Sequence, residues 1–260
     1  MSWKININSD LGEGYGRRRP GPGEDLLPLV PTVNIPCGFH AGDPRIMHRA
    51  AGLAVEAGVD VGAHVSLPDL SDLRGFGRRP LDIDPSDLRD DVLYQLGALD
   101  AFVQTEGGAM RHVKPHGPLQ AMCGRREECA RALLEAVAAY DDELIVIVGQ
   151  GWPRRLAGEY GLLGVYEGHI DLEYQPDGYP RAEDVKRSYD PDDVVRRALS
   201  IIKDRTARAL DGSTLEVMTP TLSLHGDMPN VAEVARRVRE RFAEEDVEIV
   251  GLAAALAAAA

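Results

Sequence analysis

Asn34, Cys37, His40 and Asp43 fall within one short run, Asn-Ile-Pro-Cys-Gly-Phe-His-Ala-Gly-Asp-Pro over residues 34–44. Gly38 and Gly42 let the backbone turn tightly and approach a ligand, and Asp43 can cap a helix that Pro44 opens. An ordinary helix entry with a buried histidine does not require this combination of side chains, so the run reads as an active-site loop. Cys37 beside His40 has a nucleophile's pairing, although a small buried thiol is the simpler reading.

Loops of the same kind recur along the chain. Lys4–Asn8 alternates like a strand and is followed by Asp10 and Glu13. Val59–Ala63 ends in His64, Met110–Val113 leads into Lys114-Pro-His116-Gly, and Leu144–Val148 leads into Gly149. Val165 leads to Glu167, with His169 and Asp171 beyond, and Leu222–Leu224 ends in His225-Gly-Asp227. Ionisable residues therefore gather at the carboxyl ends of the predicted strands.

Between these runs, Arg45–Ala57, Pro85–Phe102, Glu127–Ala139, Asp192–Ala209 and Val231–Phe242 carry apolar residues at three- and four-residue intervals, which predicts helices. Asp84-Pro85-Ser86 and Asp190-Pro191 supply start signals. Alternating strand and helix implies a mainly parallel α/β sheet, and chemistry at the carboxyl ends is the habit of such enzymes. Seven or eight strands over 260 residues predict a single (β/α)-barrel domain, 1–260, with a doubly wound open sheet as the alternative. Arg17–Pro31 and Leu67–Pro80 read as functional loops, and the Ala-rich Leu252–Ala260 as a fraying terminal helix.

A net charge of −13 argues against nucleic acid or an anionic membrane as partner, and no apolar stretch is long enough to span a bilayer. The opening Met-Ser-Trp-Lys-Ile-Asn has no apolar signal core, and Cys37, Cys123 and Cys129 form no CxxC pair, so a reducing cytoplasm is the expected location. Only four lysines stand against 25 arginines, which makes Lys114, at a strand end beside His116, conspicuous. Such a lysine commonly balances developing negative charge. Gly-Phe-Gly-Arg-Arg at 75–79 pairs glycines with Arg78 and Arg79, a pattern that suits phosphate or carboxylate, or alternatively surface arginines paired with local acids. His48, His112 and His169 read as ordinary packing or solvent histidines. Tyr94–Gln95 reads as part of an amphipathic helix rather than a partner-facing pair.

Asp-Leu-Gly-Glu-Gly-Tyr-Gly (10–16), the 34–44 run, Gly-Ala-His (62–64) with Pro-Asp-Leu (68–70), Gly-Phe-Gly-Arg-Arg (75–79), Val-Lys-Pro-His-Gly (113–117) and His-Gly-Asp (225–227) together resemble the LamB/YcsF family, in order over nearly the whole chain. The resemblance implies a barrel like those of the glycoside hydrolases and deacetylases. It also implies ATP-dependent ring opening of 5-oxo-L-proline to L-glutamate, as the A subunit of a 5-oxoprolinase with two further subunits, B and C. The chain departs from the family pattern at Pro36, Val65, Pro118, Gln120, Ala121 and Leu172, and the loop Leu70–Gly75 is longer than usual.

Within that frame the expected catalytic residues are Asp10, His40, His64, Lys114, His116 and His225. Glu13, Asn34, Asp43, Arg78, Arg79 and Asp227 form the expected substrate- and phosphate-binding set. Lys114 with Arg78 or Arg79 would neutralise phosphate from ATP, Asp10 or Glu13 would hold Mg²⁺ or act as base, and the histidines would move protons. Asp227 would orient His225, and Asn34 would hydrogen-bond the lactam. A second reading is a stand-alone metal-dependent amidohydrolase or deacetylase with a transition metal on Asp10, His40 and His64. A third is a non-catalytic ligand-binding subunit.

Overall fold

The computed structural model describes residues 2–17, 23–69, 77–181, 183 and 186–259. In chain order its strands are β1 (Trp3–Asp10), β2 (Thr32–Pro36), β3 (Asp60–Val65), β4 (Met110–Pro115), β5 (Ile145–Val148), β6 (Leu163–His169), β7 (Thr206–Arg208), β8 (Thr214–Glu216), β9 (Thr221–Ser223) and β10 (Val247–Ile249). The helices are α1 (Pro44–Ala57), α2 (Pro85–Thr105), α3 (Gly117–Arg125), α4 (Glu127–Tyr140), α5 (Trp152–Leu156), α6 (Pro191–Leu199), α7 (Val231–Glu244) and α8 (Leu252–Ala259).

Strands β1 to β6 pair in sequence and in parallel, and β9 pairs with both β6 and β1, so these seven strands close into a barrel. The open sheet is thereby excluded. β10 adds to β1 outside the ring, and β7 with β8 forms a separate antiparallel hairpin. Helices lie against the strands from outside: α1 against β2 and β3, α5 against β6 and α8 against β1.

The polarity of the strands is set by that outer layer. In β1, Ile5 and Ile7 belong to the apolar cluster shared with the helices, while Asn6, Asn8 and Asp10 alternate to the opposite face and are equally buried. The same alternation turns Thr32 and Asn34, His112 and Lys114, Glu167 and His169, and Thr221 and Ser223 into the lumen, all of them buried. The large hydrophobic core is therefore the annulus between strands and helices, and the barrel interior is a polar network.

Three expectations need correction. The helix expected over Asp192–Ala209 stops early: α6 ends at Leu199, a π turn runs over Ser200–Asp204, and Arg205 turns left-handed (φ 57°) into β7. The terminal helix expected to fray is anchored at its start, where Leu252 and Ala255 are buried and the Leu252 backbone N–H donates to Asp60 Oδ2 at 3.0 Å, while its last turn is exposed. The strand expected to end at Ala63 continues to Val65, so His64 is itself a strand residue, directed into the barrel. Leu70–Gly75, and part of the loop Arg17–Pro31, lie outside the described residues.

Candidate functional site

The lateral register of the strands builds the site. Asp10 on β1 is level with Asn34 on β2, Asn34 with Gly62 on β3, and Gly62 with His112 on β4. His112 Nε2 donates across Gly62 to Asn34 Oδ1 at 2.8 Å, and Asn34 Nδ2 donates to Asp10 Oδ1 at 2.9 Å and Asn8 Oδ1 at 3.0 Å. Asn34 thus sits beneath the site as a fully buried connector, rather than as the lactam contact expected from the sequence.

One step toward the carboxyl rim, Pro36, His64 and Lys114 form the next level. Lys114 Nζ reaches across the lumen, donating to Asn8 Oδ1 at 3.0 Å and Ser223 Oγ at 3.1 Å, and lies 3.1 Å from Glu167 Oε2 and 3.5 Å from Asp10 Oδ1. Gln120 Nε2 donates to Glu167 Oε1 at 2.6 Å. Burial opposes ionisation throughout this group, and mutual attraction overrides it. Asp10 is held far below the usual carboxylate range despite burial by Lys114, His64 and His225, and Glu167 is likewise held, by Lys114 and His169, at about 2. Lys114 has its proton affinity raised by Asp10 and Glu167. The ammonium makes its bonds inside the lumen, where it fixes two carboxylates as anions, and it also borders the cavity.

At the rim, His64 Nδ1 donates to the Lys114 carbonyl at 2.9 Å, which turns Nε2 toward His116 Nδ1 at 3.2 Å. His40 stacks on His116 with ring centroids 4.0 Å apart, and its Nε2 lies 3.8 Å from Glu13 Oε1. Burial depresses the proton affinity of His40, His64 and His116 and keeps the imidazoles neutral. Burial, with Asp227 and Asp10 nearby, pushes Glu13 well above its usual range. Gly77 makes the loop above possible: its φ is +72°, and a Cβ there would fall 2.4 Å from His40 Cβ. Cys37 is buried and its thiol is pushed up by burial, which removes the nucleophile reading.

Across the cavity, His225 Nδ1 donates to Asp171 Oδ1 at 2.9 Å, and Lys186 Nζ lies 3.2 Å from Asp171 Oδ2. Asp171, not Asp227, orients His225. Asp227 instead pairs with Arg78 at 2.6 Å. Arg79 pairs with Asp69 and does not line the cavity, whereas Arg78 does. Asp43 accepts from the backbone N–H groups of Arg45 and Ile46 at 3.0 and 3.3 Å, and of Gly16 at 2.8 Å. It caps α1 away from the cavity lining, so its placement does not match the substrate set.

These groups open onto a cavity of about 780 Å³. Glu13, His64, Lys114, His116, Glu167, His169 and His225 form its ionisable wall; Leu67, Leu81, Met122, Leu172 and Pro180 form an apolar one. Of the expected catalytic residues, His64, Lys114, His116 and His225 line it, and Asp10 and His40 stand directly behind. Glu167, Asp171, Lys186 and His169 belong to the same assembly although the sequence reading gave them no role. His112, set aside as packing, is a lumen hydrogen-bond donor. Gln95 is fully buried, exchanging two bonds with the Ser66 backbone.

The residues able to hold a metal differ from the expected Asp10, His40 and His64. Glu13, His40, His64 and His116 each offer one donor atom, all within 4.8 Å of one another. Asp10 is drawn instead into the network of Asn34 and Lys114.

A closed parallel barrel whose ionisable groups gather at the carboxyl rim is the arrangement in which (β/α) barrels place active sites. The chain belongs to the LamB/YcsF family, whose model matches residues 5–257. It is 42% identical over 248 residues to a protein of Nocardia farcinica named as the A subunit of 5-oxoprolinase, covering 94% of this chain and 98% of that one. The protein of the same name from Pyrococcus abyssi is 39% identical over 252 residues, covering 96% and 98%. The crystal structure of a lactam utilization protein from Thermus thermophilus superposes with a TM-score of 0.84 at 40% identity, covering 95% of this chain and 98% of that chain. A protein of Enterococcus faecalis V583 described as a putative cellobiose-phosphate cleavage protein, 10% identical with a TM-score of 0.56, shares the fold. Among the described residues no helix is long and apolar enough to cross a membrane.

Proposed function

We propose that this chain is the A subunit of a 5-oxoprolinase and opens the ring of 5-oxo-L-proline to give L-glutamate, coupled to ATP, in a complex with two further subunits, B and C. The observation that carries the reading is the facing pair of a Glu-His cluster and an Asp171-held His225 across one cavity, in a chain about 40% identical to full-length relatives of that name.

A five-membered lactam is a resonance-stabilised amide that water attacks slowly. Transfer of the ATP γ-phosphoryl to the carbonyl oxygen, releasing ADP, makes the ring carbon electrophilic. Water then adds while His225 takes its proton, with Asp171 holding the ring. Cleavage of the C–N bond, the nitrogen taking up a proton, leaves γ-glutamyl phosphate. A second water gives glutamate and phosphate. Arg78 is the cavity-wall cation suited to the phosphoryl group, and Asp10, behind the wall, is a carboxylate of the kind Mg²⁺ prefers. Lys114 keeps Asp10 and Glu167 charged throughout.

The test is glutamate release from 5-oxoproline by the chain alone and by the three-subunit complex, with and without ATP. Turnover is expected only in the complex with ATP, falling about 10²–10⁴-fold in His225→Ala; near-normal rates in that variant would sink the assignment. The four close donors of Glu13, His40, His64 and His116 favour a second reading, a metal-dependent amidohydrolase. ATP-independent hydrolysis by the isolated chain would select it.

A further inference from the structure

We infer that Glu13, His40, His64 and His116 form a binding site for one divalent transition ion of the zinc class, separate from any Mg²⁺ that accompanies a nucleotide. The cluster has this capacity whichever amide the cavity takes.

Three observations support it. First, both ring nitrogens of His40 are buried without a hydrogen-bond partner, and the residue lies almost wholly out of solvent. An unpaired buried polar atom is costly, so an orphaned imidazole inside a cluster of donors calls for a ligand that uses its lone pair. Second, His64 is locked by its Nδ1 bond to the Lys114 carbonyl, which leaves Nε2 as the lone-pair nitrogen facing the cluster. A carbonyl on the far nitrogen is the usual second-layer support of a metal-bound histidine.

Third, the spacing fits. A tetrahedral ion with bonds of about 2.0–2.1 Å holds neighbouring donors about 3.3 Å apart. His40 Nε2 and Glu13 Oε1 are 3.8 Å apart, and His64 Nε2 and His116 Nδ1 are 3.2 Å apart in a hydrogen bond that an ion would replace, the His116 proton moving to Nε2. Ordinary side-chain adjustment closes the remaining gaps within the 4.8 Å cluster.

The donor chemistry selects the ion. Three imidazoles and one carboxylate suit zinc, cobalt or nickel and are poor ligands for Mg²⁺, which demands oxygen. Asp10, 3.6 Å from His64 Nε2, offsets the remaining positive charge of the loaded site.

The experiment titrates chelator-stripped full-length protein with Co²⁺ and Zn²⁺, with Mg²⁺ as the competing ion. It reads stoichiometry by elemental analysis, the Co²⁺ visible spectrum and the shift in melting temperature. One equivalent of Co²⁺ with an intense four-coordinate spectrum is expected, displaced by Zn²⁺ and not by excess Mg²⁺. His40→Ala and His116→Ala should each weaken binding more than about 100-fold. Cys37→Ser, outside the donor set, should bind as wild type, and circular dichroism confirms that each variant is folded. No saturable binding at one equivalent, or unchanged Co²⁺ affinity and spectrum in the two histidine variants, would overturn the inference. Metal binding without ring opening in any mixture would refute the proposed function and leave the site standing.

Discussion

His112 occupies the space that Gly62 leaves empty: a Cβ on Gly62 would lie 2.2 Å from His112 Nε2. The missing side chain lets an imidazole on β4 reach over β3 to an amide on β2, and so completes the link from His112 through Asn34 to Asp10. Gly62→Ala is expected to destabilise the fold by about 1–3 kcal/mol through overpacking, read as a lower urea midpoint. The double variant Gly62→Ala/His112→Ala should recover part of that loss, because the clash is gone. An unchanged midpoint in the single variant would show that the lumen yields freely.

Removing the ammonium at the centre strands two anions. Lys114→Met should cost about 3–5 kcal/mol at neutral pH, since Asp10 and Glu167 remain buried without their cation. The deficit should shrink in acid, where the stranded carboxylates can protonate. Urea unfolding of both proteins at neutral and acidic pH checks both statements; a constant deficit would contradict the second.

Asp171→Asn should lower kcat of the complex about 10²–10⁴-fold with KM little changed, because His225 loses the carboxylate that holds its ring. Asp171→Glu should restore part of the rate. A rise in KM alone would assign Asp171 to substrate binding.

Stability should fall as pH drops from about 6.5 to about 4. Burial pushes His112 down to about 3 and His169 to about 4, so between those values and the unfolded-state range the unfolded chain binds more protons than the native one. Stability is therefore fully present above the unfolded value and is lost toward acid, by up to about 1.4 kcal/mol per pH unit for each imidazole. Denaturant melts across that window, compared with His169→Asn, measure it; equal slopes would exclude His169 as a contributor.

Much of this site was legible at the strand ends. Asp10, His40, His64, His116 and His225 stood out because ionisable residues followed apolar runs, and they do converge. Glu167 and Asp171 were visible at such an end too, yet their roles arise from Lys114, Lys186 and His225, which meet them only across the closed barrel. Asp227 beside His225 in sequence suggested a partnership that the loop geometry gives to Arg78 instead. The alternation Ile-Asn-Ile-Asn-Ser-Asp revealed a strand but not which face was lumen. The overextended helix after Pro191 failed because its apolar spacing continues while Arg205 turns left-handed.

Because oily residues lie outside the ring and hydrogen-bonding residues inside it, each of the seven staves carries two separable duties. An exchange on the inner side alters which protons and ions the protein handles while the greasy sleeve that keeps it folded stays intact. Gln120, on α3 at the cavity wall, reaches the inward-facing Glu167 of β6. Divergence in this chain can thus retune chemistry residue by residue without rebuilding the scaffold.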